Sequence, residues 1–325
     1  VSKILKRFGN FKTLIIATVS MFFAFLALAF FKTAYLIIPI FVLHQAILTI
    51  ATYTFDVFLE GYATPQNEDS VRGGFLAVVS LAILMAPLLS GFIVGDGQYW
   101  RAYLAGALAL IPFIILIRYF KDFRDPSYHD MKIKETLLCI RGNKNISNVL
   151  FGQFILRLFF SWMVIYMPIY LHAHIGFSWS EIGIMTAIML LPYALLQFPA
   201  GKIADKYLGE KELLIFGFAV TGAATALVPL ISGPNFLLWT GVLILSRIGA
   251  SLIDIMTESY FFKHVDNSDN NTISFFRIAR PFAYLVGPLV GSIALLLFDI
   301  QTMWFILAFL VLLGIISTMH LEDTR

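Results

Sequence analysis

The sequence predicts an all-α membrane protein, a polytopic bundle of ten spanning helices, and three observations predict it. Of 325 residues, 59% are hydrophobic and only 13% are charged, with a mean hydropathy of +0.83, too few charges to solvate a soluble body of this size. Apolar stretches recur at the length a helix needs to cross a bilayer, roughly 20 residues at 1.5 Å each for about 30 Å of hydrocarbon. Lys and Arg gather in every second connection between those stretches. A transmembrane barrel would instead show short segments alternating apolar and polar, and runs such as 154–170 do not alternate.

The elements follow in order. A basic head with Lys3, Lys6, Arg7 and Lys12 leads into a first span over 13–31. The second, 36–58, carries His44, Gln45, Thr49 and Asp56 and stops at Glu60. The third, 74–95, follows Arg72, and the fourth covers 99–119. The longest connection, 121–148, is charged and apolar-poor, with room for a short interfacial helix, so the domain boundary is placed there. Residues 1–120 form an N-terminal bundle and 149–325 a C-terminal one. The remaining spans are 149–171, 180–200, 212–231, 236–258, 276–297 and 301–319.

Charge fixes the expected topology. With both termini in the cytoplasm, all but four of the 23 Lys and Arg fall on the inside; Lys32 and Arg101 lie outside, and Arg157 and Arg247 lie within spans. The protein is thus expected in a cell membrane, plasma or bacterial inner. The net charge of +3 is the ordinary excess of cytoplasmic loops, and no nucleic-acid partner is expected. The sole cysteine, Cys139, rules out an intramolecular disulfide. Asn270-Asn271-Thr272 and Asn145-Ile146-Ser147 fit the glycosylation pattern but fall on the inner side. No phosphate-cradling Gly-rich loop, metal-ligand cluster or nucleophile–base set is visible, so neither an ATP-driven pump nor a cofactor is expected.

The two parts repeat at an offset of about 200. Asp56-Val57-Phe58-Leu59-Glu60 lies over Asp254-Ile255-Met256-Thr257-Glu258. Ala86-Pro87-Leu88-Leu89-Ser90-Gly91 lies over Gly287-Pro288-Leu289-Val290-Gly291-Ser292, and Lys6-Arg7-Phe8-Gly9 over Lys206-Tyr207-Leu208-Gly209. Three matches in one order indicate duplication, as transporters often show.

The segment Gly201-Lys202-Ile203-Ala204-Asp205-Lys206-Tyr207-Leu208-Gly209-Glu210-Lys211 resembles the cytoplasmic signature G-x-x-x-D-[RK]-x-G-[RK]-[RK] of the major facilitator superfamily of secondary transporters, with one residue inserted before the second glycine. The resemblance covers essentially the whole chain. It implies that Gly201 allows close helix approach and that Asp205 and Lys206 belong to a cytoplasmic latch. The partial twin, residues 2–9, has Ser2 in place of the glycine and Lys6 in place of the Asp. In the family that twin follows the second of twelve helices, so the resemblance implies that the chain opens in mid-motif, with no signal peptide, and carries helices three to twelve. Gly73, Ala82, Ala86-Pro87, Ser90 and Gly91 have the spacing of the family's antiporter motif, and Ser274, Ala283, Gly287-Pro288, Gly291 and Ser292 repeat it.

Ionisable groups within a span are costly and usually face a partner or a polar cavity. Gln153, Arg157, Ser161 and Pro168 form one helical stripe; Arg247, Ser251, Asp254 and Glu258 form another. The resemblance implies that both line a central cavity, where Arg157 and Arg247 would orient an anionic or polar group and Trp162 and Tyr166 would supply aromatic contact. The alternative is an ion pair with Asp254 or Glu258 that holds helices together. The sequence Leu243-x3-Arg247-x2-Ala250-Ser251 also resembles a drug-antiporter signature, but that signature belongs on the family's helix four, where Thr49 stands, so its role is not carried over. Gln45, Thr49, Asp56 and Glu60 share a face of the second span, with His44 beside them. Asp56 and Asp254 are the proton-carrier candidates. His44 could exchange a proton but reads better as a packing residue. Glu60 is expected to meet Arg72, and Glu258 to meet Arg277 or Arg280, when the inner side closes.

These readings converge on a secondary transporter that rocks two bundles about a midplane site. Its expected action is proton-coupled efflux of a small organic molecule, by a monomer whose partners are that solute, the proton and the lipid bilayer. Symport of a polar or anionic solute is the alternative, and a lipid-handling membrane enzyme is a rival of another class.

Overall fold

The computed structural model describes residues 2–62, 68–95, 97–123, 125, 133–265 and 270–322, and among them it contains no strand. Ten of its helices are long and apolar enough to cross a membrane, each over one of the spans read from the sequence. Contacts divide the chain into two compact units, Val1–Asp130 and Met131–Arg325.

The N-terminal unit consists of α1 (Ser2–Phe8), α2 (Asn10–Phe30), α3 (Ala34–Tyr62), α4 (Glu68–Val94) and α5 (Tyr99–Leu116), which tightens into a 3-10 turn over Ile117–Phe120. Helix α2 packs on α3 and α5, burying Leu14, Ala17, Met21, Ala51, Phe58 and Ile117 in a small core.

The C-terminal unit begins with the ten-residue α6 (Ile133–Gly142), followed by α7 (Lys144–Tyr170), α8 (Trp179–Met189), α9 (Leu191–Ile203), α10 (Glu210–Leu227), α11 (Phe236–His264), α12 (Asn270–Leu297) and α13 (Ile300–Met319). The side chain of Asn143 caps α7 by accepting from the amides of Asn145 and Ile146, and Ser178 and Glu181 form a capping box at α8. The sixth span is interrupted at Leu190, where α9 restarts with Pro192 in its first turn; there Pro gives up no internal hydrogen bond. Helix α7 packs on α11, α12 and α13, and α10 packs on α11 and α13. Phe159, Phe218, Trp239, Ile253, Met256 and Trp304 lie at the centre of this larger core with no exposed surface. Long apolar side chains such as Leu237, Leu296 and Phe309 point outward, as helices solvated by acyl chains require.

The repeat is visible in the backbone. Gly9 (φ 75°, ψ 164°) and Gly209 (φ 84°, ψ 164°), 200 positions apart, share a conformation open essentially to glycine alone, and each is the N-cap of the next helix. The next residue is buried and polar in both units. The Asn10 amide N–H donates to Asp125 (2.8 Å) and its side chain donates to the Thr54 carbonyl (3.1 Å). Glu210 accepts from Ser259 (3.2 Å) and forms an ion pair with Lys263. The pairing of α2 with α3 and α5 recurs as α10 with α11 and α13. The residue inserted before Gly209 is absorbed by a π-helical turn, Ala204–Leu208, closed by the Gly209 amide on the Ala204 carbonyl at 3.0 Å.

Three contacts hold the chain after α13 against the same end of the C-terminal unit. Lys211 donates to the Leu321 carbonyl (2.8 Å), Tyr260 to the Glu322 carbonyl (3.1 Å), and the Glu322 amide to Asn145 (3.2 Å).

Candidate functional site

The two polar stripes of the C-terminal unit meet. Successive positions four apart on α7 place Gln153 and Arg157 toward α11, and Asp254 and Thr257 face them from α11. The Arg157 guanidinium donates to Asp254 at 2.6 Å, and its other terminal nitrogen lies 3.5 Å from the second carboxylate oxygen. Their side chains are 12% and 22% exposed. Gln153, fully buried, completes the cluster: its amide oxygen accepts from Arg157 Nε (3.0 Å) and Nη2 (2.7 Å) while its nitrogen donates to Thr257 Oγ1 (3.1 Å). The Asp254 pairing read from the sequence as one of two alternatives is the contact that Arg157 makes here. Opposite charges this close satisfy each other at low dielectric, which lowers the cost of either within a spanning helix.

Arg247 is placed differently. It is 1% exposed, no carboxylate among the described residues pairs with it, and its Nε lacks a hydrogen-bond partner. The guanidinium lies 5.3 and 5.2 Å from the ring centres of Phe159 and Phe160, so ring quadrupoles replace part of the missing hydration. The Tyr193 hydroxyl of α9, also buried, sits beside it, with its oxygen toward the guanidinium and no acceptor for its own proton.

Trp162 and Tyr166 are turned to α12. Trp162 has no exposed surface and its indole donates to the Gly287 carbonyl (2.8 Å). The Tyr166 hydroxyl donates to the Pro288 carbonyl (2.9 Å) and lies 3.4 Å from Ser292. The small residues of the antiporter-like motif explain this: a Cβ on Gly291 would sit 2.7 Å from the Tyr166 ring, and one on Gly287 2.8 Å from Ser161 Cβ, so α12 lies directly on α7. Ser161 is buried, and Ser251 is buried with its hydroxyl returned to the Ile248 carbonyl (2.8 Å).

The remaining candidates are dispersed. Glu258 forms no ion pair with Arg277 or Arg280, all three side chains being exposed, although Asp254, Arg157 and Arg277 are near enough to Glu258 to act on its charge. Gly201 makes no close approach, since a Cβ there would touch nothing. Lys206 is exposed. The side chains of Glu60, Arg72 and Asp205 lie outside the described residues. In the N-terminal unit, Gln45 and Thr49 are exposed, with Thr49 donating to the Gln45 carbonyl (2.9 Å), and Asp56 is half-buried. His44 is buried against Phe25, ring centres 4.6 Å apart, and neither nitrogen has a hydrogen-bond partner. Sequence reasoning missed Tyr193, Phe159 and Phe160. Tyr193 carries a faint signal, the one hydroxyl in the run Leu190–Leu196, whereas the two phenylalanines cannot be told from ordinary core residues.

Three comparisons bear on what this arrangement belongs to. No curated protein matches the chain. Solved structures share its fold: a bacterial homologue of the iron transporter ferroportin in the inward-facing state, with a TM-score of 0.72 over 98% of this chain and 86% of that one, at 13% identity. Another is a bacterial homologue of the human lysosomal transporter Spinster in an inward-facing and occupied conformation, with a TM-score of 0.67 over 94% and 78%, also at 13% identity. The family model of the Major Facilitator Superfamily matches residues 149–324, from the second turn of α7 to just beyond α13. That removes the enzymatic rival, since members of this family carry solutes across membranes. A multi-pass fold, duplicated backbone turns and a sequence match over more than half its length together make this chain a member of the Major Facilitator Superfamily, a secondary transporter of small molecules.

Proposed function

We propose that this transporter exports a small organic molecule in exchange for protons, with Asp254 as the proton carrier and its pair with Arg157 as the coupling element. The observation that carries the proposal is the Arg157–Asp254 contact at 2.6 Å, enclosed with Gln153 and Thr257 among otherwise apolar helices. A proton on Asp254 cancels the attraction, leaving Arg157 to seek another anion or water. A group whose partner is lost on protonation is a two-state element that alternating access can use. The antiporter-like spacing that seats α12 on α7 supports export as the direction.

The rest of the reading is of the same kind. Residues 1–120 and 149–325 act as the two bundles, joined by 121–148, in a monomer of the cell membrane with both termini of this chain in the cytoplasm, on the side where Lys and Arg gather. Asp56, at the repeat position of Asp254, is the second proton-carrier candidate. Arg247, with no carboxylate beside it, favours an anionic solute and keeps proton symport open as a second reading.

The protein in proteoliposomes containing a pH-sensitive dye, given a panel of organic anions, cations and neutral compounds, tests the proposal. Solute movement should dissipate an imposed pH gradient, in the antiport sense, and Asp254→Asn should transport without responding to pH. A pH response undiminished in Asp254→Asn refutes the assignment of the carrier; flux in the symport sense establishes the second reading.

A further inference from the structure

We propose that the Arg247 guanidinium and the Tyr193 hydroxyl form an anion site, taking the head of a monovalent anion: the carboxylate of the transported solute or a halide ion. The inference rests on the solute-carrying reading above and names the chemical class its C-terminal unit selects.

Two polar groups are held side by side, and the Tyr193 oxygen is the one acceptor within reach of Arg247 among the described residues. Arg247 on α11 is 1% exposed, yet no carboxylate of the described residues meets it and its Nε donates to nothing. Tyr193 reaches the same place from α9; its oxygen is near enough to accept from Arg247, and its O–H proton finds no acceptor. A buried cation without a counter-ion is expensive, and a buried donor without an acceptor adds to the cost. The rings of Phe159 and Phe160 offset part of it, but they accept charge only through their faces and leave the in-plane N–H groups unmet. An anion in the plane of the guanidinium would satisfy both donors at once.

Arg157 cannot take this role while Asp254 occupies it. The arginines of α7 and α11 therefore divide: Arg157 is balanced by a carboxylate of the chain, and Arg247 lacks only its ligand. A monovalent head fits because one positive charge is uncompensated; a second negative charge would be stranded beside Asp254. Phe160, half-buried over the guanidinium, must give way for the ligand to enter.

The experiment uses the full chain in lipid nanodiscs, with acetate, benzoate and 2-naphthoate as carboxylate probes, the matching amides and amines as uncharged and cationic controls, and chloride in an otherwise halide-free buffer. Binding is read from tryptophan emission and ligand-dependent thermal shift. At least one carboxylate, or chloride, should bind while its controls do not. Arg247→Gln should weaken that binding by about tenfold or more, and Tyr193→Phe by about tenfold, as expected for hydrogen bonds to a charged group. Arg247→Lys, which keeps the charge but loses the planar fork, should bind with intermediate affinity, and it serves where Arg247→Gln does not fold. A chloride response that the carboxylates neither share nor displace assigns the site to halide. Amides binding as tightly as carboxylates, no anion binding at all, or Arg247→Lys and Tyr193→Phe both binding as wild type overturns the proposal. If anions fail to bind while pH-driven solute flux persists, only this inference falls; if they bind at Arg247 but no flux responds to pH, the coupling reading falls.

Discussion

Asp254→Asn and Arg157→Gln should each destabilise the protein, and the double variant should cost much less than their sum. Two unit charges about 4 Å apart at an effective dielectric near 20 attract by about 4 kcal/mol. The side chains are 12% and 22% exposed, so water screens part of this, and a coupling of about 2–3 kcal/mol remains after discounting. Each single change also strands one charge in a spanning helix, at about 2.5–3.5 kcal/mol for a lone Arg or Asp near the centre. The double change strands neither and leaves Gln153 and Thr257 neutral company. A double-mutant cycle in mixed micelles, followed by tryptophan emission, measures this. Trp162, buried and hydrogen-bonded to Gly287, lies one turn from Arg157 and reports the α7–α12 contact; thiol dyes are unsuitable because Cys139 is already exposed in the folded protein. Costs that add to within about 0.5 kcal/mol would show that the pair is an incidental contact, and the reasoning would be wrong.

Gly291→Ala should cost about 1–3 kcal/mol, because its Cβ falls 2.7 Å from the Tyr166 ring, and the loss should shrink in a Tyr166→Leu background; thermal unfolding of the pair of variants decides. Gly209→Ala should cost a similar 1–3 kcal/mol through its φ of 84°, and Gly9→Ala likewise, whereas Gly201→Ala, with open space around it, should be close to neutral. His44→Leu should leave stability unchanged or raised and transport equally sensitive to pH, since no hydrogen bond is lost; a flattened pH profile would return His44 to the proton path. Lys211→Met with Tyr260→Phe should speed amide hydrogen exchange at Leu321 and Glu322 while leaving the centre of α7 protected.

The fold was legible because the bilayer restricts it so severely. With no water to receive backbone polar groups, apolar runs of spanning length have one available structure, and the ten expected spans coincide with ten helices. Punctuation was legible too: the repeat found by aligning Gly9 with Gly209 reappears as matching backbone angles, because only glycine occupies that region. The polar stripes of α7 and α11 were visible from spacing alone, since burying such groups in lipid leaves a conspicuous mark.

What periodicity could not supply was partnership. Helical spacing places Arg157 and Arg247 on faces, but which cation meets Asp254 depends on the rotation and height of α7 against α11, set by side chains spread over both helices. The contact of Trp162 and Tyr166 with α12, permitted by Gly287 and Gly291, was likewise not legible from spacing. Tyr193, 54 positions before Arg247 in the sequence, joins it only through the packing of α9 on α11. Composition and spacing were enough to read the solvent and the spans, because these follow from how each segment interacts with lipid. Only the packed helices show which charges are neutralised and which are not, because electrostatic satisfaction depends on a few ångströms between helices that no local rule specifies.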